Sequence, residues 1–154
     1  MVGSVVVRKE DPNLLTGRGK YTDDLTLQGM VYAAFARSSE AHADIVSIDT
    51  SEARSMPGVL GVWTAADLPD LPSLPSVPIP GLERPCLAKD RVRFVGEMVA
   101  VVVATTRYQA ADAAASIVIE YAPRPVVATL EQALAGADEH IWPAMGGNAV
   151  PLVP

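Results

Sequence analysis

Residue types able to do chemistry are few in this chain. Ser38, Ser39, His42 and Asp44 place hydroxyls, an imidazole and a carboxylate within one short stretch. These are the groups from which a nucleophile, its general base and an orienting acid are built. Such a triad is assembled across a fold, on a strained elbow that presents the nucleophile, and no Gly-x-Ser-x-Gly sequence is present. The expectation is a surface loop between two strands; a small hydrolase resting on Ser38, His42 and Asp44 is the distant rival. His42 and His140 are the 2 histidines, and neither belongs to a His-x-x-x-His pair, so metal binding is not expected. Cys86 is the 1 cysteine. It excludes an internal disulfide and any four-cysteine zinc or iron–sulfur site, which fits a reducing compartment. No histidine or helix N-terminus beside it marks it as reactive.

Gly17-Arg18-Gly19 resembles part of a phosphate loop, but that chemistry needs a preceding strand and a following helix. Tyr21-Thr22-Asp23-Asp24 follows instead, and two acids repel phosphate. A tight structural turn is the expectation. Glu97 interrupts the apolar stretch Phe94-Val95-Gly96-Glu97-Met98-Val99. A carboxylate there is either a pKa-shifted acid or a structural group at a bulge or in a salt bridge to Arg91 or Arg93; the structural role is expected. Pro-x-x-Pro pairs between residues 69 and 85 lack the flanking cations of an SH3-type ligand.

The elements that must position these groups alternate between strands and helices. Met30–Ala36 is apolar on both faces and reads as a buried strand. Asp44–Asp49 and Val59–Trp63 read as further strands by β-branched content. Asp49 with Glu52, and Thr64 with Asp67, have capping-box spacing and predict short helices closed by Pro57-Gly58 and by Pro69. Residues 69–85 hold six of the 13 prolines, which favours an extended surface excursion. Val92–Ala104 is a strand interrupted at Gly96-Glu97. Thr106 and Gln109 cap an alanine-rich helix over Arg107–Ser116, Ile117–Tyr121 is a strand, and Thr129 and Gln132 cap a last helix ended by Gly136. The helices are few and short, so the fold class is α+β, mixed α/β, and not a regular doubly wound sheet.

The chain has 154 residues, enough for one compact domain with a sizeable core. Its formal charge is -6, with 12 basic and 18 acidic residues. That balance gives no electrostatic reason for nucleic acid or an anionic membrane as partner. The longest apolar run, Met98–Ala104, is far short of the ~20 residues of a membrane helix. The N-terminus lacks a signal-peptide pattern, and a cytoplasmic location is expected.

One segment carries a further signal. Leu14–Leu25, Leu-Leu-Thr-Gly-Arg-Gly-Lys-Tyr-Thr-Asp-Asp-Leu, resembles the opening of the large, molybdenum-binding subunit of the xanthine dehydrogenase, aldehyde oxidase and aerobic carbon monoxide dehydrogenase family. The likeness continues in order through Gly29-Met30, Arg37-Ser38, Ala41-His42-Ala43, Ile45 and Ser47-Ile48-Asp49. It runs on through Pro57-Gly58-Val59, Thr64-Ala65-Ala66-Asp67-Leu68, Val95-Gly96-Glu97 and Val99-Ala100. It closes on Ala110-Ala111-Asp112-Ala113-Ala114 and Tyr121-Ala122-Pro123. No single motif is specific; their order and spacing are.

The resemblance implies an α/β-hammerhead fold and a parent oxidoreductase, a molybdenum hydroxylase. That enzyme would work at a molybdenum–pterin centre, with iron–sulfur clusters and FAD on other subunits or domains. The family's cofactor-binding loops and glutamate base are expected downstream of Pro154. No catalytic, cofactor-binding or metal-binding residue is therefore assigned here, and Glu97 is not that base. The expected organisation is a turn-rich arm over 1–28, the hammerhead over 29–136 with its excursion at 69–85, and a tail over 137–154 leading to further domains. The expected role is structural, without activity of its own. Downstream molybdenum-binding domains are the expected partners, an iron–sulfur subunit is a further one, and self-association through an exposed face is left open. Gly17, Arg18, Gly19 and Tyr21 are the expected partner contacts. The alternative is a free-standing binding or assembly module without catalysis.

Overall fold

The computed structural model describes residues 3, 8–74, 79, 81–136 and 139–149, and the chain divides into two compact units, Met1–Met30 and Val31–Pro154. In the first unit a helix, α1 (Asp11–Leu15), stands where the sequence suggested only turns. It has 5 residues, too few for an apolar period to show. Pro12 suits its first turn, where the missing N–H has no helical acceptor. Its end is a complete Schellman motif. Gly17 adopts φ +67°, its N–H donates to Leu14 O at 3.2 Å, and the Arg18 N–H donates to Asn13 O at 2.7 Å. A single 3-10 turn, Thr22–Asp24, follows.

The second unit holds two three-stranded antiparallel sheets. Its strands are β1 (Tyr32–Arg37), β2 (Ala43–Asp49), β3 (Val59–Thr64), β4 (Arg91–Val92), β5 (Met98–Ala104) and β6 (Val118–Pro123). Its helices are α2 (Ser51–Ser55), α3 (Arg107–Ala115) and α4 (Leu130–Leu134). One sheet runs β1-β5-β3, the other β4-β2-β6. This mixed α/β arrangement agrees with the expected fold class.

The interruption at Gly96-Glu97 proves to be one of the points at which the chain passes from one sheet to the other. Val92 belongs to one sheet and Met98 to the other. Gly96 makes the corner at φ +87°, a conformation costly for residues with a Cβ.

Burial follows from the central place of β5. Val99, Ala100, Val102 and Ala104 are fully buried, as are Val62 on β3 and Val92 on β4. Each such valine contributes roughly 1.5–2 kcal/mol relative to an exposed one. α3 packs on β1 and β5 through Ala110, Ala113 and Ala114, whose small side chains let helix and sheet approach closely. Thr106 Oγ1 accepts the Gln109 N–H at 3.2 Å, as the capping spacing predicts. Ile48 and Ile119 pack against the apolar clusters of both sheets and join them into one core.

Three local expectations differ from the structure. β1 is not buried on both faces: Ala33, Phe35 and Arg37 point outward, Phe35 being 40% exposed with the Arg37 guanidinium 5.6 Å from its ring centre. Thr64 and Asp67 make cap-like bonds, the carboxylate taking the Thr64 N–H at 2.7 Å and hydroxyl at 2.9 Å, yet only a turn follows. Pro69 removes the backbone conformation a helix needs next. Before α2 the Asp49 carboxylate accepts from the Ser51 N–H at 2.9 Å, while the Thr50 hydroxyl at the cap position accepts from Arg54 Nε at 2.9 Å and from no backbone N–H of the helix. The expected box is thus an Asx-turn.

The proline-rich excursion folds back on itself. The Leu74 N–H donates to Arg84 O at 2.7 Å, Ser73 bridges Pro85, and the Cys86 thiol donates to Pro72 O at 3.0 Å. Pro75, Pro78 and Pro80 lie outside the described residues.

Candidate functional site

The hydrolase-like residues are near in sequence and spent on different tasks. Ser38 is 3% exposed, and its hydroxyl donates to Glu40 O at 2.9 Å while accepting the Glu40 N–H at 3.0 Å. His42 is 1% exposed, with Nδ1 at 2.8 Å from Pro125 O. A carbonyl only accepts, so Nδ1 carries a hydrogen, while Nε2 is buried and without a hydrogen-bond partner among the described residues. Ser39 is exposed in the loop before β2. The Asp44 carboxylate faces away from this histidine chemistry, toward two guanidiniums. No proton relay links the three groups.

Asp44 is one corner of an ion network that no sequence spacing announces. Arg91 Nε and Arg124 Nη1 each donate to its carboxylate at 2.7 Å. Arg124 also grips Glu139, with Nη2 at 2.9 Å from Oε1, and Arg91 Nη1 lies 3.7 Å from the same oxygen. The hydrogen bonds from Arg124 and then Arg91 hold the Asp44 carboxyl below the usual carboxylate range, while the Asp44 and Glu139 carboxylates push Arg124 up. The network ties β2, β4 and the end of β6 to the segment starting at Glu139. Within that segment Asn148 closes a loop, its Oδ1 taking the Ile141 N–H at 2.9 Å and its Nδ2 donating to Glu139 O at 2.8 Å.

Glu97 is 6% exposed. Of the two structural roles expected of it, a bulge or a salt bridge to Arg91 or Arg93, the salt bridge is not formed: Arg91 is committed to Asp44 and Glu139, and Glu97 accepts from the Arg93 backbone N–H. Its own backbone is laced to Ser38, the Ser38 N–H donating to Glu97 O at 2.9 Å and the Gly96 N–H to Ser38 O at 2.8 Å. The carboxylate is a staple for the corner between the sheets. It borders a cavity of about 110 Å³ lined by Arg37, Arg84, Cys86, Phe94 and Met98.

Burial pushes the Glu97 carboxyl above the ordinary range against the Arg93 N–H that favours ionisation. A raised folded-state value means its contribution is complete below the unfolded value of about 4.3 and is lost as pH rises through the folded one. The Glu97 carboxyl therefore contributes less stability at neutral pH than in acid. Glu97→Gln keeps an oxygen for the Arg93 N–H and is expected to raise the thermal midpoint by roughly 2–4 °C at neutral pH. Near pH 4 the gain should vanish. An equal deficit at both pH values in a thermal melt would contradict this.

In the first unit the Arg18 and Gly19 N–H groups both point to Asn13 O, at 2.7 and 3.0 Å. The amides a phosphate would need are consumed, and the helix precedes the glycines instead of following them, so the segment is a helix stop. Arg18 Nε donates to Thr16 Oγ1 at 3.1 Å, and Asp24 takes the Tyr21 N–H at 2.9 Å. Tyr21 is 65% exposed beside a shallow cleft of about 240 Å³ that Leu14, Arg18 and Gly19 also line.

Among the described residues no group of three or more His, Cys, Asp and Glu side chains could hold a metal ion. These residues do not fit a metal centre, and no chemical step is assigned to one. Among them, no helix is long and apolar enough to cross a membrane.

Two three-stranded antiparallel sheets between which the chain alternates, with one alanine-rich helix packed on the first, define a mixed α/β hammerhead domain. Residues 16–125 match the family described as aldehyde oxidase and xanthine dehydrogenase, a/b hammerhead domain, and the chain belongs to that family. It is 46% identical over 120 residues to a carbon monoxide dehydrogenase large chain of Afipia carboxidovorans, covering 78% of this chain and 15% of that protein. It is 42% identical over 141 residues to a nicotine 6-hydroxylase large subunit of Paenarthrobacter nicotinovorans, covering 88% of this chain and 17% of the other. Among solved structures, quinoline 2-oxidoreductase from Pseudomonas putida 86 superposes with a TM-score of 0.74 at 47% identity, covering 86% of this chain and 17% of that one. The chain thus spans about a sixth of the length of the relatives it matches.

Proposed function

We propose that this chain is the hammerhead scaffold of a molybdenum hydroxylase large subunit and contributes structure, not chemistry, to its parent enzyme. The observation that carries the reading is the family match over 16–125. The internal use of nearly every chemically able side chain supports it: Ser38 on Glu40, Asp44 on two arginines, Glu97 on a backbone amide. In this reading the molybdenum–pterin cofactor belongs to downstream domains, and iron–sulfur clusters and FAD to other subunits or domains. Residues 1–28 serve as an arm, 29–136 as the hammerhead and 137–154 as the lead into those domains, in the cytoplasm. The exposed Tyr21 with Gly17, Arg18 and Gly19 forms the arm's contact for them.

Co-expression of this chain with the remaining large-subunit domains tests the reading. A stable complex on size-exclusion chromatography is expected, and Arg18→Ala with Tyr21→Ala should weaken it about ten-fold. Failure to associate, or stoichiometric molybdenum or iron on the chain purified alone, would overturn it.

A further inference from the structure

The segment Glu139–Asn148 lies against the domain with none of its residues fully buried. Its own hydrogen bonds are few: a single 3-10 turn, Pro143–Met145, and the Asn148 side chain that closes on Ile141 and Glu139. Bonds so few do not offset the entropy of ordering the segment by itself. A short set of contacts with the domain holds it, and they fall at two places.

The first is ionic. Glu139 takes the Arg124 fork, with Nε at 3.0 Å from Oε1 and Nη2 at 3.2 Å from Oε2, and Arg91 stands beside it. The second lies further along the segment. Arg93, just past β4, donates from Nε to Ile141 O at 3.3 Å, and its guanidinium lies 5.9 Å from the centre of a Trp142 ring. The Trp142 indole N–H reaches Glu83 O, in the proline-rich excursion, at 3.3 Å. Gly81, at φ +84°, brings the two backbones together. A Cβ there would stand 2.7 Å from the carbonyl carbon and oxygen of Ala144, main-chain atoms that cannot turn aside. Trp142 lines both a cavity of about 340 Å³ on the excursion side and one of about 260 Å³ on the α4 side, so its side chain partitions them.

The excursion is as thinly held as the segment. Among its described residues none is fully buried, and its two limbs meet through the Ser73–Pro85 bridge and the Leu74 N–H bonded to Arg84 O.

We propose that Glu139–Asn148 is a strap that opens from the domain in one cooperative step together with the excursion, its seat, and that it is latched by Arg91 and Arg124 at one end and by Gly81 and Trp142 at the other. Pieces with few buried apolar contacts open well below the free energy of global unfolding. With one latch undone the strap keeps too few contacts to hold the other, so both ends release together. Opening joins the two cavities and frees Arg93 and the Glu83 carbonyl. The ionic latch makes the step sensitive to salt. The inference goes beyond the scaffold reading and needs no partner, so its failure would leave that reading untouched.

Hydrogen exchange resolved by residue tests it on the whole chain. In the parent the Leu74 amide, the Ile141 amide and the Trp142 indole N–H are expected to report one shared opening free energy, below that of the β5 amides. None of the hydrogen bonds of Arg124 among the described residues reaches the excursion. Even so, Arg124→Met should quicken exchange at Leu74 about ten-fold, as much as at Ile141. Gly81→Ala, which unseats the other end, should quicken Ile141 by the same factor as the Trp142 indole. Sodium chloride at about 1 M should move the parent toward Arg124→Met and change that variant little. Unequal opening energies at the three groups, or a variant that affects only its own end, overturns the proposal. So does a shared energy equal to that of β5, which would make the strap part of the global unfolding unit.

Discussion

Val102→Asp is expected to leave the protein without a cooperative unfolding transition at 25 °C. Val102 is fully buried on β5, the central strand of its sheet, and stands opposite Ala34 on one side and Val62 on the other. The cluster around it is entirely aliphatic: Ala36, Ala53, Val62, Ala100, Ala113, Ala114 and Ile117. A carboxylate there meets no donor, and neutralising it still leaves an unsatisfied polar group. The penalty is about 5 kcal/mol, comparable to the whole stability of a small domain. Near-UV circular dichroism and amide dispersion should be lost together. The contrasting change Leu60→Asp, on the exposed face of edge strand β3, should alter stability by less than about 1 kcal/mol. Similar behaviour of the two variants would contradict the placement of β5 at the centre.

Arg124→Met should release the segment from Glu139 to Asn148. Arg124 is the cation that spans Asp44 and Glu139, and the methionine stem replaces its packing but neither of its charge-assisted bonds. Exchange over residues 139–148 is expected to quicken about ten-fold, and the thermal midpoint to fall by roughly 5 °C. All three side chains are partly exposed, so the deficit should shrink in high salt.

The pH dependence carries a definite sign. Asp44 is held below its ordinary range in the folded state. Its stabilisation is present above the unfolded value of about 3.9 and is lost as pH falls through the folded value. The parent protein should therefore lose stability in acid more steeply than the variant, and the two melting curves should converge below about pH 4. Parallel acid limbs would remove Arg124 from the network's function.

Much of the fold was legible in the sequence where a local physical rule governs it. The strands at Asp44–Asp49 and Val59–Trp63 declared themselves through β-branched content, and the structure extends each by only one residue. Thr106 with Gln109 and Thr129 with Gln132 announced helix starts whose cap bonds are formed. Gly17 as a turn rather than a phosphate cradle followed from the residues after it, and the Schellman bonds supply the reason. Rules were misread where a neighbour overrode them. Pro69 stopped a helix that the Thr64 cap geometry would have begun. β1, apolar in composition, proved to have an outward face because α3 covers only one side of its sheet.

The candidate site was less legible. The sequence brought Ser38, His42 and Asp44 together, and the fold separated their work. The cations that bind Asp44 come from residues 47 and 80 positions away, beyond anything periodicity or spacing can register. Glu97 was conspicuous as a lone acid in an apolar run, yet its partner is a backbone amide, which every residue but proline offers.

Local chemistry by itself determined most of the strands, the helix starts at Thr106 and Thr129, the turn at Gly17 and membership of the hammerhead family, because each depends on residues within about one turn or on their order along the chain. Only the tertiary structure decided the switch of sheets at Gly96 and the four-membered ion network. Each of these is a matter of which distant backbone lies alongside, and strand pairing across 36 or more positions leaves no trace in local composition.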